Sequence, residues 1–250
     1  MKYNICVPIP VKSLKISENA PIIKKVLYTN PNLIELRFDY INDVQNITKD
    51  FISSLLNRIQ PKVPVISTFR DSSEGGHIKI DKNERFQILK VLIETKPKYL
   101  DIELNTEKDV LSEVIHLASQ YKVKLIFSYH DFEKTPSYIE ANNLIEKFLK
   151  KLNNEMLIDP KIVESGIYKL IFTAHSFEDN LLPLQLCKTK PYKKQRFISF
   201  CMGDLGLFSR ITCIFSGSFL TYGYFEEKTA LGQIHIKEIR RILKLMNFSV

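Results

Sequence analysis

Residues 124–173 decide the fold. Lys124-Leu125-Ile126-Phe127-Ser128-Tyr129-His130 reads as one strand, and Ile167-Tyr168-Lys169-Leu170-Ile171-Phe172-Thr173 reads as another. Between them Leu144, Ile145, Phe148, Leu149 and Leu152 recur at helical spacing, the stripe by which a helix packs onto a sheet. Strand, covering helix and strand make a crossover unit with parallel strands. Lys169 is the odd member of this unit. An ammonium in an apolar strand is costly unless it is paired or gives up its proton. Once neutral, the amine is a nucleophile of the kind that attacks ketones to form Schiff bases.

The same alternation runs outward in both directions. Strand-like runs at 4–8, 33–40, 63–70 and 99–104 precede the central unit, and runs at 196–202 and 218–224 follow it. Helical stripes separate them, such as Phe86, Leu89, Leu92 and Ile93, then Val110, Val114, Leu117, Ala118 and Tyr121. Ile239, Ile242, Leu243 and Met246 close the chain. Eight strands alternating with helices in 250 residues predict an α/β fold, a (β/α)8 TIM barrel, as a single catalytic domain over residues 1–250. An open doubly wound sheet would place a glycine-rich phosphate loop after strand one, and the chain has none there.

Composition narrows the function classes. The four cysteines, Cys6, Cys187, Cys201 and Cys213, have no CxxC spacing and read as small buried hydrophobes in a reducing compartment. Met1 to Cys6 run straight into a strand, and the longest uncharged stretch, 211–225, is too short for a membrane span. A soluble cytoplasmic protein with no membrane partner is expected. The net charge of +8 permits nucleic-acid binding, but the basic run Lys188, Lys190, Lys193, Lys194 and Arg196 around Pro191 lacks an aromatic ladder and reads as a solvated loop. Only 8 glycines are present, mostly at Gly75-Gly76 and from Gly203 to Gly232, which points to loops with special backbone needs there. Gly166 and Gly223 read as ordinary turn residues.

In a barrel the site forms at the C-terminal ends of the strands. The polar residues at those ends are Glu35, Arg37 and Asp39 on strand two, Arg70 after strand three with Glu74 beyond it, and Asp101 and Glu103 on strand four. His130 ends strand five, Lys169 lies on strand six, Arg210 follows strand seven, and Thr229 and Gln233 follow strand eight. Arg37, Arg70 and Arg210 suit an anionic or polyhydroxylated ligand, because guanidinium grips carboxylate in a fork. His130, one strand before Lys169, is the natural proton shuttle. An imine-forming lysine beside a general base can remove a proton α to a carbonyl, the protonated imine serving as electron sink. Metal-ligand spacing is absent, so metal-free chemistry is expected.

These residues carry a resemblance to the type I 3-dehydroquinate dehydratases that spans essentially the whole chain. The motifs are Glu35-Leu36-Arg37-Phe38-Asp39, Thr68-Phe69-Arg70 with Glu74-Gly75-Gly76, Ser128-Tyr129-His130-Asp131-Phe132 with Thr135-Pro136, and Lys169 in its strand. Met202-Gly203, Gly206, Ser209-Arg210, Gly217-Ser218 with Thr221, and Gly232-Gln233-Ile234 complete the set. The resemblance implies that Lys169 condenses with the C3 ketone of 3-dehydroquinate and needs no cofactor beyond this covalent imine. It implies that His130 moves the proton and Glu74 orients His130. Arg210 would hold the substrate carboxylate, Glu35, Arg37 and Arg70 its hydroxyls, and Thr229 and Gln233 would sit on a closing loop. It also allows a homodimer. The chain departs from the pattern at Leu231, where many members have proline, and at Pro8, where some have serine. A barrel aldolase would share the imine but need phosphate-binding glycines. A non-catalytic metabolite binder would not need Lys169, His130 and Glu74 together.

Overall fold

A computed structural model describes residues 3–189 and 195–246. The strands β1 (Ile5–Pro10), β2 (Leu33–Arg37), β3 (Val65–Thr68), β4 (Tyr99–Glu103), β5 (Lys124–His130), β6 (Ile167–Thr173), β7 (Arg196–Met202) and β8 (Thr221–Tyr222) follow one another around a sheet. Its order is β7-β6-β5-β4-β3-β2-β1-β8, with every pairing parallel. β1 therefore pairs on both sides, and the seam between β7 and β8 is bridged where the Phe219 amide donates to the Phe197 carbonyl at 2.6 Å. The sheet curls into a nearly closed (β/α)8 barrel, as the alternation predicts.

Helices α1 (Ile16–Tyr28), α2 (Lys49–Ile59), α3 (Lys82–Glu94), α4 (Lys108–Gln120), α5 (Tyr138–Lys150), α6 (Pro160–Ser165), α7 (Leu181–Lys188), α8 (Leu207–Thr212) and α9 (Ile236–Leu245) lie between and after the strands. Short polar side chains start several of them by satisfying free amides. The Thr48 hydroxyl accepts from the Phe51 amide at the head of α2, and Asp81 accepts from the Asn83 and Glu84 amides at α3. At α5 Ser137 and Glu140 form a reciprocal capping box. Ile52, Leu55 and Ile59 on α2, and Leu111, Val114 and Ala118 on α4, are buried against the strands.

The expected strand bounds hold at β5, β6 and β7 and shift elsewhere. The run at 33–40 stops pairing at Arg37, because Phe38–Tyr40 turns into a 3-10 helix. The run at 218–224 contributes only Thr221–Tyr222 to the sheet. All four cysteines are buried and unbridged. Glycine is required at Gly75, whose φ is +84°, and at Gly76, where a Cβ would lie 2.1 Å from the Arg70 carbonyl. Of the basic run, Lys190, Pro191, Lys193 and Lys194 lie outside the described residues, as do Met1 and Lys2. Among the described residues no helix is long and apolar enough to cross a membrane.

Candidate active site

Alternation along each strand sends every second side chain into the barrel. On β6 these are Lys169 and Ile171, on β7 Phe200 and Met202, and on β8 Tyr222. They open with residues of β2, β5 and the loops onto a cavity of about 170 Å³. Nine of the twelve polar residues singled out from the sequence, Glu35, Arg37, Arg70, Glu74, His130, Lys169, Arg210, Thr229 and Gln233, line this cavity, while Asp39, Asp101 and Glu103 lie behind it as partners of Arg37, Arg70 and Lys169. Parallel register sets Lys169 opposite Ser128 and His130 opposite Ile171, so the lysine sits deeper than the histidine on the same inner face.

Lys169 is 5% exposed, and its Nζ donates to Asp101 Oδ2 at 3.0 Å. Nζ also lies 4.9 Å from the centre of the Tyr222 ring. The sequence left two ways to tolerate the ammonium, and the structure supplies the paired one. Asp101 in turn accepts from Ser128 Oγ at 2.6 Å and pairs with Arg70 Nη2 at 2.8 Å. Burial works against its charge, but Arg70 and then Lys169 outweigh that and hold the carboxyl well below the usual carboxylate range. Arg70 Nη1 also donates to Glu103 Oε1 at 2.5 Å and to Ser128 Oγ at 2.7 Å.

Glu74 ends the 3-10 turn Ser72–Glu74 after β3 and reaches across to β5. Its Oε2 accepts from the His130 amide at 3.0 Å and contacts His130 Nδ1 at 3.0 Å, while Asn105 Nδ2 donates to Oε1 at 3.1 Å. Burial, and then the nearby charge of Glu103, push the Glu74 carboxyl up to about 8. Burial, and then the positive charges of Arg70 and Lys169, push His130 well below the ordinary imidazole value. Both shifts favour uncharged forms, so the pair is poised as a neutral acid beside a neutral base.

The three arginines differ in how they are held. Arg37 donates to both oxygens of Asp39 at 2.8 Å, which also accepts from the His77 amide at 3.1 Å. Arg70 is shared by two carboxylates. Arg210 is 1% exposed and no carboxylate lies against it among the described residues. Its guanidinium stacks 4.5 Å over the Phe200 ring, Nη2 donates to the Leu231 carbonyl at 2.9 Å, and Nε has no hydrogen-bond partner there. Burial lowers its pKa to about 10. An anion entering the cavity therefore meets one uncompensated cation, Arg210. Glu35 accepts from Thr68 Oγ1 at 2.7 Å, and Gln233 ties its loop together by accepting from the Thr229 amide at 2.8 Å. Among the described residues no group of three or more His, Cys, Asp or Glu side chains could hold a metal ion.

Comparison with known proteins agrees with this architecture. The family model described as type I 3-dehydroquinase matches residues 5–249. This chain belongs to the type I 3-dehydroquinase family. A 3-dehydroquinate dehydratase from Methanococcus maripaludis strain C6 is 34% identical over 245 residues, covering 97% of this chain and 99% of the relative. One from Listeria welshimeri is 30% identical over 250 residues, covering 97% and 92%. Among solved structures, a type I 3-dehydroquinate dehydratase from Clostridium difficile with covalently modified comenic acid aligns with a TM-score of 0.82 and 28% identity. That alignment covers 100% of this chain and 94% of the other. As a member of this dehydroquinase family the chain is an enzyme of the hydro-lyase class.

Sequence reading did not assign Asp101 to Lys169, nor Asn105 to Glu74, nor a place in the cavity to Tyr222. The one available signal was in β4: Asp101 and Glu103 stand two residues apart in a strand whose five residues are all buried. Carboxylates so placed require cationic partners inside the barrel.

Proposed function

We propose that this dehydroquinase dehydrates 3-dehydroquinate to 3-dehydroshikimate by syn elimination through an imine on Lys169, the third step of the shikimate pathway. The observation that carries this reading is the position of Lys169: a buried amine on the cavity floor, held by one carboxylate, with His130 above it on the same face. Lys169 sheds a proton to neutral His130 and attacks the C3 ketone. His130 returns that proton to the carbinolamine oxygen, which leaves as water and gives an iminium whose positive charge occupies the place of the ammonium, so Asp101 serves as counter-ion before and after and His130 is neutral again. His130 takes a C2 proton, giving an enamine. Electrons return as the C1 hydroxyl departs with the proton His130 carries, and water then hydrolyses the imine. With Nδ1–H turned to Glu74, His130 keeps Nε2 free for this shuttle. Arg210 receives the substrate carboxylate, and Glu35, Arg37 and Arg70 its hydroxyls. Thr229 and Gln233 hold the loop that covers it.

The chain needs no cofactor in this scheme, because the iminium supplies the electron sink. We read it as one catalytic domain acting in the cytoplasm, with a homodimer as its assembly. Borohydride added during turnover of 3-dehydroquinate tests the chemistry. A reduced adduct on Lys169 is expected, and turnover with no covalent mass there would overturn the mechanism. Lys169→Ala should abolish both adduct and product. His130→Ala should still form the imine but eliminate about 10²- to 10⁴-fold more slowly, the usual contribution of a positioned acid–base group.

A further inference from the structure

Arg85 lies on α3, outside the cavity, yet is 6% exposed. Its Nη2 contacts Glu103 Oε2 and donates to the Phe69 carbonyl at 3.3 Å, its Nη1 donates to Thr106 Oγ1 at 3.4 Å, and its Nε lies 3.6 Å from Asp71. Glu103 thus has Arg85 on one oxygen, and Arg70 and the Asp71 amide on the other. Arg70 passes the chain of alternating charge to Asp101, and Asp101 passes it to Lys169. We infer that Arg85 is a positioning residue for the Schiff-base lysine: by neutralising Glu103 it leaves Arg70 free to share itself with Asp101.

Without Arg85, Glu103 draws Arg70 toward itself, and Asp101 keeps more of its negative charge. That charge favours the ammonium of Lys169 and withholds the free amine. The charged and titratable groups facing Lys169 are Asp101 on β4, Arg70 after β3, Glu35 on β2, His130 on β5, Cys6 on β1 and Tyr222 on β8. Arg85 touches none of the reacting atoms and acts only through Glu103 and Arg70.

The inference rests on Lys169 forming the imine, so the test follows the rate of reductive trapping with 3-dehydroquinate across pH. Arg85→Gln should move the acid limb of trapping to higher pH and slow it near neutrality about tenfold, the effect of one pH unit on a free-amine fraction. The double variant Arg85→Gln/Glu103→Gln removes the charge that competes for Arg70 and should recover trapping to within about threefold of the parent, a coupling that a double-mutant cycle isolates. It also leaves no buried carboxylate unpaired, since Asp71 is partly exposed, so it carries the test if the single variant does not fold. Trapping by Arg85→Gln at the parent's rate and pH, or a double variant still about tenfold slow, would overturn the inference. A parent that turns over without any adduct would instead overturn the imine reading itself.

Discussion

The two walls of the barrel cavity handle charge in opposite ways. On the wall built from β2 to β6, every guanidinium and the Lys169 ammonium meet carboxylates: Arg37 with Asp39, Arg70 with Asp101 and Glu103, Lys169 with Asp101. On the wall from β7 and β8, Arg210 stands alone among Phe200, Met202 and Tyr222. The first wall is complete before substrate arrives. It fixes side chains in place and holds the total charge constant through the proposed chemistry. The second is incomplete by one negative charge, which in the proposed function the substrate carboxylate supplies. Buried charge thus serves geometry on one side of the cavity and affinity on the other.

Deleting one cation from each wall separates the two uses. Arg70→Met strands Asp101 and Glu103 in the barrel interior, and breaking a buried pair in this way costs about 3–5 kcal/mol. Urea unfolding should show that loss at neutral pH, together with loss of turnover. Arg210→Met removes a charge to which folding gives no counter-ion among the described residues, and its lowered pKa corresponds to about 3 kcal/mol of strain in the folded state. The same unfolding measurement should therefore show a stability gain, while KM for the substrate rises. Equal destabilisation by the two variants would erase the distinction between the walls.

How far the sequence discloses these walls depends on what each feature requires. β5, β6 and β7 could be read to the residue because each is an unbroken seven-residue strand run. β8 could not. Strand character in the run at 218–224 is local, but pairing at the seam of a closing barrel depends on what β1 and β7 offer, and only Thr221–Tyr222 finds a ladder. The cavity residues were legible because each lies on a strand or in the segment that follows one. Their pairing was not. Asp101 on β4 reaches Lys169 on β6 across the intervening β5, and alternation along one strand carries no information on contact across two. Arg85 was hidden differently: it falls in the apolar face of α3 beside Ile88 and Leu89, where a charged residue reads as the edge of a stripe. Its contact with Glu103, with support from the Phe69 carbonyl, Thr106 and Asp71, accounts for the burial.

Glu74 offers the finest test, because it is a buried carboxylate of the paired wall with no Arg or Lys within ion-pair distance among the described residues. It faces a neutral imidazole and an amide instead of a dedicated cation. Its carboxyl, raised to about 8, binds a proton in the folded state at pH values where the unfolded chain, titrating near its ordinary 4.5, has released it. The native state then holds more protons, so stability falls as pH rises from about 4.5 through about 8 and levels off above. His130 acts in the other sense. Its folded pKa lies below the ordinary 6.5, so the unfolded chain binds the extra proton, and stability rises with pH until about 6.5. Above pH 6.5 the histidine contributes no further slope, and up to about pH 8, before the buried cysteines with raised pKa values begin to titrate in the unfolded chain, the decline belongs to Glu74. Between pH 6.5 and 8 that decline should amount to about 1.5 kcal/mol. Glu74→Gln keeps an acceptor for the His130 amide and has nothing to titrate. Its unfolding free energy should stay level across this window while that of the parent falls. A parallel decline in both proteins would mean that Glu74 is charged throughout.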